Sequence, residues 1–246
     1  MNRQELNEML LVKICMPLSS RGDLSTVGDI LTVHKAKNIL ELGVGNADWL
    51  IFAAAVLHDS SVNLTGYENF TWKFEDHNWA STLEELNKSN KQRLLQLKLT
   101  NIIQIKHNDI ENLSSNITDF GIEKYDIVRL DCLCDTVLQI DTVIDSIMPY
   151  TSENCIFLVD DITPSYCPNR FLSFMDKVRK KELKPLWFGE HEGAWVKPSF
   201  NTIKFGVEME KYFADYWYSG ENTNREFYGA NYSYFTSRPK NVGCIH

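Results

Sequence analysis

The sequence lacks any apolar run approaching the roughly 20 residues that cross a bilayer. Its opening MNRQELNEML has no basic stretch followed by an apolar one. The expectation is a cytoplasmic protein with no membrane partner. A basic surplus is also missing, since 25 Lys and Arg stand against 33 Asp and Glu in 246 residues, a formal net charge of -8. Nucleic acid and anionic lipid surfaces reward concentrated Lys and Arg, so neither is an expected partner. The cysteines Cys15, Cys132, Cys134, Cys155, Cys167 and Cys244 show no CxxC or zinc-like Cys/His spacing. They read as free thiols. No internal repeat or low-complexity linker interrupts the chain, and about 250 residues can still share a single core.

What is present is an alternation of short apolar runs with longer amphipathic stretches. Residues 2–15 and Leu24–His34 carry helical spacing. Asn38–Leu42 is a strand that ends at Gly43-Val44-Gly45, and Trp49–Leu57 follows as a helix. Further strands are expected at Ser61–Tyr67, Asn101–Ile105, Tyr125–Leu130 and Cys155–Val159. Helices are expected at Ser81–Leu99, Thr136–Tyr150 and Asn169–Leu183, the last with Arg170, Lys177, Arg179, Lys180 and Lys181 as a solvated face. Strands separated by helices of this length pair in parallel through right-handed crossovers, which makes the fold class α/β, doubly wound and Rossmann-like. Leu186–Gly189 and Thr202–Val207 would close the sheet as an antiparallel hairpin. The resulting division is a domain over residues 1–207 and an aromatic extension over 208–246.

In an open α/β sheet, ligands bind beyond the carboxyl ends of the strands. The first such end reads Glu41-Leu42-Gly43-Val44-Gly45-Asn46-Ala47-Asp48. Glycines there admit a ligand close to the backbone, and the next helix offers unpaired N–H groups. A dinucleotide, an adenosyl cofactor or a plain tight turn would each suit this unit. The second strand ends in Glu68, about 20 residues beyond the glycines, where an acid can accept both hydrogen bonds of a ribose diol. Asp109, after the third strand, is placed for an adenine amine. Singly, each acid reads more readily as a solvated loop residue than as a ligand; together they describe an adenosine pocket. Glu41 discriminates further, because a carboxylate there repels a pyrophosphate but pairs with a cofactor's α-amino group.

The run E-L-G-V-G-N-A resembles the first motif of the class I S-adenosylmethionine-dependent methyltransferases. YDIVRLDCLCD, followed about 25 residues later by CIFLVDDITP, is similar to the catechol O-methyltransferase-like branch and to the macrocin-type sugar O-methyltransferases. The resemblance covers roughly residues 16–207 and implies a mostly parallel seven-stranded sheet preceded by helices. It implies S-adenosyl-L-methionine as cofactor, held by Glu41, Gly43, Gly45, Glu68, Asp109 and Asp131. It also implies Mg2+ held by Asp131, Asp160 and Asp161. Three carboxylates on neighbouring strand ends repel one another unless a hard divalent cation neutralises them. As an alternative, Asp160 or Asp161 caps a turn before Pro164. Where the catechol enzymes place a lysine base, this chain has Cys134, and the acids Asp131 and Asp135 are the candidates for catalysis instead. His191-Glu192-Gly193 lies where the branch places a substrate-contacting acid, although a plain loop fits it equally.

The implied activity is Mg-assisted methyl transfer to a hydroxyl of a small molecule or sugar. A methyltransferase-like domain kept only for binding is the alternative. A nicotinamide-dependent oxidoreductase is disfavoured, because Asp48 stands where a third glycine is expected and acids cluster at the fifth strand. From Phe205 onward lie 11 of the chain's 29 aromatic residues. That density suits a lid, a homodimer interface or packing on the domain itself.

Overall fold

The computed structural model describes residues 21–58, 61–70, 80–107, 124–132, 136–162, 167–189 and 191–212, with four short strands beyond them at 216–218, 224–227, 230–233 and 237–239. The expected helix over residues 2–15 lies outside the described residues. Helix α1 (Arg21–His34) leads into β1 (Asn38–Leu42), and α2 (Asp48–Leu57) follows the glycine turn. Next come β2 (Asn63–Glu68), α3 (Leu83–Gln96), β3 (Ile103–His107), β4 (Tyr125–Leu130) and α4 (Val137–Ile147). Then follow β5 (Thr151–Val159), α5 (Pro168–Arg179), β6 (Lys184–Phe188), β7 (Gly193–Val196) and α6 (Thr202–Tyr212).

Local chemistry sets several of these ends. The Thr82 hydroxyl accepts from the Glu85 N–H at 3.2 Å while the Glu85 carboxylate accepts from the Ser81 N–H at 3.0 Å, a reciprocal cap at the start of α3. Thr136 caps α4 in the same way through the Gln139 N–H. Helix α2 is buried on all sides from Trp49 to Ala55, as its uniformly apolar sequence requires.

The seven strands form one sheet in the order β3-β2-β1-β4-β5-β7-β6. Pairs from β3 through β5 are parallel, and β7 is antiparallel to both β5 and β6. Winding reverses between β1 and β4, which opens a crevice at their carboxyl ends. Two apolar layers flank the sheet. One joins Leu24, Ile30, Leu50 and Phe52 to Ile39, Ile127 and Ile156; the other joins Leu40, Val128 and Phe157 to Ile144, Phe174 and Trp195. This split follows from strand periodicity, since alternate residues face opposite sides.

Two expectations need correction. Thr202–Val207 is no strand: Asn201 caps a helix there through the Lys204 N–H at 2.9 Å. Phe205 and Met209 are buried at i, i+4 spacing while Ile203 and Val207 stay exposed. The hairpin partner of β6 is instead Gly193–Val196. Helix α6 also crosses the expected domain boundary at 207. The second correction concerns α5, where Arg170 and Lys177 are buried at 4% and 2% exposure. They share a stripe with Phe174 and Val178, and Lys177 is held by Asp145 and by Glu182 at 3.2 Å. In the extension, β9 (Asn224–Phe227) pairs antiparallel with β10 (Ala230–Ser233), and β8 (Tyr216–Tyr218) with β11 (Ser237–Pro239).

Gly66 in β2 is a point of close approach between the sheet and the glycine turn. A Cβ there would lie 2.5 Å from Val44 Cγ2 and 3.0 Å from both Ile105 Cδ1 and Leu50 Cδ1. Gly66→Ala is expected to destabilise the protein by about 1–3 kcal/mol through overpacking. Urea denaturation checks this, and a midpoint equal to that of the wild type refutes the tight packing.

Candidate functional site

The turn after β1 is shaped by backbone conformations that side chains resist. Gly43 and Gly45 have φ of 82° and 52°, and Ala47 joins them at 59°. At Gly43 an added Cβ would sit 2.4 Å from the carbonyl oxygen of Asp131, so the turn lies directly against the chain leaving β4. Glu68, at the end of β2, holds this turn in place. Its Oε2 accepts from the Val44 and Gly45 N–H groups, both at 2.8 Å, and its Oε1 accepts from the Asn69 and Phe70 N–H groups at 2.9 and 3.0 Å. Arg93 fastens the far side through the Asn46 carbonyl at 2.8 Å and through Asp48.

Beside the turn lies a cluster built on Arg129. Strand alternation puts Glu41 on the side of Ile39, and Arg129 and Asp131 on the side of Ile127. Glu41 and Arg129 are direct neighbours in the β1–β4 register. One guanidinium nitrogen donates to Glu41 Oε1 at 2.7 Å and Asp131 Oδ2 at 2.9 Å. The other donates to Asp160 Oδ2 at 2.8 Å and Glu192 Oε1 at 3.2 Å. The guanidinium carbon lies 5.3 Å from the centre of the Trp49 ring. Arg170 supports the rim by donating to the Asp160 carbonyl at 2.7 Å, with Asp131 Oδ1 at 3.7 Å.

The charges respond to this crowding. Burial opposes ionisation of Arg129, but Asp131, Asp160, Glu192 and Glu41 together outweigh it and hold the guanidinium charged. Burial pushes the Glu41 carboxyl well above the usual range despite Arg129. Burial and then the charge of Asp160 push Asp131 up to about 7. Asp160 is buried too, yet Arg129 and Arg170 bring it below its ordinary value. Asp161 is raised by burial and by Asp160, and sits at a φ of 50° where the chain turns out of β5. Four carboxyl groups thus surround two guanidiniums, with Glu41 and Asp131 held toward the protonated form. Glu41 Oε2 is buried with no hydrogen-bond partner among the described residues.

Of the residues singled out from the sequence, Glu41, Gly43, Gly45, Glu68, Asp131, Asp160 and Asp161 gather around the β1, β2, β4 and β5 ends. Asp109, Cys134 and Asp135 lie outside the described residues. Of the expected metal trio, Asp131 and Asp160 lie together on Arg129. Asp131 and Asp160 direct oxygens to Arg129, and no group of three or more His, Cys, Asp or Glu among the described residues is arranged for a metal ion. A divalent ion on these oxygens would have to share them with the guanidinium. Glu192 is not a plain loop acid but is buried at 4% exposure on Arg129. The sequence reading missed Arg129, although its place two residues before Asp131 in an apolar strand puts both on one face of the sheet.

No family model and no curated protein sequence matches the chain. Solved structures do. A Staphylococcus aureus protein assigned as a caffeoyl-CoA O-methyltransferase superposes with a TM-score of 0.54 at 13% identity, over 79% of this chain and 91% of that one. The O-methyltransferase NovP gives 0.53 at 13% identity, over 72% and 78%. A Bacillus cereus O-methyltransferase crystallised with SAH gives 0.52 at 12% identity, over 79% and 90%. The fold is therefore the Rossmann-like fold of these O-methyltransferases.

The raised Asp131 carboxyl has a consequence for stability. In the unfolded chain it ionises near its ordinary value of roughly 3.9, but in the native state only as pH nears about 7. Between those values the folded protein holds more protons, so this group's contribution falls as pH rises and levels off above the folded value. Asp131→Asn should lose that decline, making the stability difference between mutant and wild type grow from about pH 5 to 8. Urea titrations across that range test it; parallel curves for the two proteins refute the raised carboxyl.

Proposed function

We propose that the protein is an S-adenosyl-L-methionine-dependent methyltransferase acting on a hydroxyl of a small molecule or sugar. The observation that supports this most is Glu41 Oε2, a buried oxygen with no partner among the described residues, in a cluster of four carboxyl groups on one arginine. It lies beside a glycine turn at the point where the sheet's winding reverses. The ammonium of such a cofactor would favour the ionised form of a carboxyl that burial otherwise holds protonated, whereas a pyrophosphate would oppose it. The fold shared with the Bacillus cereus and NovP enzymes agrees with the same reading.

When bound, S-adenosyl-L-methionine supplies an electrophilic methyl group on its sulfonium. The chain's part is to bind, orient and accept a proton. Glu41 Oε2 is proposed to accept from the amino group, and Gly43 and Gly45 to admit the cofactor against the backbone. Glu68 is proposed to receive the ribose hydroxyls by exchanging part of its hydrogen bonding to the turn. Asp131, at the mouth of the cluster, is the proposed base for the acceptor hydroxyl; a carboxyl raised toward the working pH accepts a proton more effectively than an ordinary one. Asp131 and Asp160 act here as partners of Arg129.

Calorimetric titration with S-adenosylhomocysteine is the direct test. One site per chain is expected, and Glu41→Gln should weaken it about tenfold or more, equivalent to ~1.4 kcal/mol or above. Folded protein that shows no binding at about millimolar ligand, near −4 kcal/mol, would falsify the cofactor assignment. Binding without methylation of any catechol or sugar acceptor in a labelled-cofactor screen would identify a binding domain instead of an enzyme.

A further inference from the structure

We propose that Arg129 is the resident cation of the acid rim, in place of a divalent metal, and that it positions Asp131 and Asp160 for the site's work. The planar fork of a guanidinium suits this arrangement, with two nitrogens reaching four carboxylates from four separate chain segments. Arg129 is 5% exposed and its strand neighbour in register is Glu41, so the sheet itself fixes the charge in place. Trp49 covers one side of the guanidinium, and Arg170 braces the Asp160 backbone.

A hard divalent ion gathers several oxygens at short distance, and its charge would add to that of Arg129 within the same cluster. Here Asp131 Oδ2 and Asp160 Oδ2 lie 2.9 and 2.8 Å from guanidinium nitrogens. A metal on those oxygens would face Arg129 across each of them. The Glu41 oxygen without a partner among the described residues is matched instead by the cationic end of the proposed cofactor. This role deepens the methyl-transfer reading at the same site. It can be measured on protein without cofactor, so that failure of the metal result and failure of cofactor binding are separate outcomes.

Mn2+ binding to the full chain, followed by electron paramagnetic resonance with and without S-adenosylhomocysteine, is the experiment. The wild type is expected to show only the weak binding of an acidic surface, with the same thermal midpoint in EDTA as in excess Mg2+. Arg129→Met empties the centre of the carboxylate cluster and should tighten Mn2+ binding about tenfold or more, because affinity follows the charge and number of free oxygen ligands. Its thermal midpoint should then rise with Mg2+, a response that loss of a merely structural arginine would not produce. A stoichiometric Mn2+ site of micromolar affinity in the wild type overturns the proposal, as does equal Mn2+ binding by the two proteins. Should Arg129→Met fail to fold, the wild-type titration and its midpoints in EDTA and Mg2+ still decide it.

Discussion

The structure of the site depends on one buried charge. A guanidinium removed from water loses several kcal/mol of solvation, and only close, well-directed anions restore it. Arg129 has four carboxylates, at distances from 2.7 to 3.2 Å, and an aromatic ring alongside. The dependence is mutual. Glu41 and Glu192 are themselves nearly inaccessible, and each directs an oxygen to Arg129. Removing one partner of such a group costs about 3–5 kcal/mol, much of it from the charge left behind.

The fold makes this concentration of charge possible by bringing strand ends together. Parallel strands running the same way put their carboxyl ends on one edge, and reversal of the winding between β1 and β4 leaves that edge open. Side-chain alternation then decides which residues meet. Ile127, Arg129 and Asp131 share one face of β4; Ile156 and Leu158 lie on that same side in β5, with Asp160 next in the alternation. Glu68 does the complementary work across the crevice, fixing the glycine turn so that Gly43 can lie against the backbone of Asp131.

Much of this was legible in the residues alone. Apolar runs with helices between them marked β1 to β5 and their parallel order, because crossover length and handedness leave few alternatives. The acids at strand ends were legible for the same reason. Other features were ambiguous locally. Ile203, Phe205 and Val207 alternate as a strand would, but Asn201 and the Phe205–Met209 spacing make a helix. Arg170 and Lys177 look like a wet face until Phe174 and Val178 are seen on the same stripe.

What the sequence by itself determined is the α/β alternation, the glycine turn and the row of carboxylates on one rim, since each follows from short-range periodicity and chain direction. What only the tertiary structure decided is how those carboxylates are neutralised. Arg129 is separated from Glu41 by 88 residues and from Glu192 by 63. Pairing over such distances is set by strand register and by burial, both of which exist only once the sheet has closed around the charge.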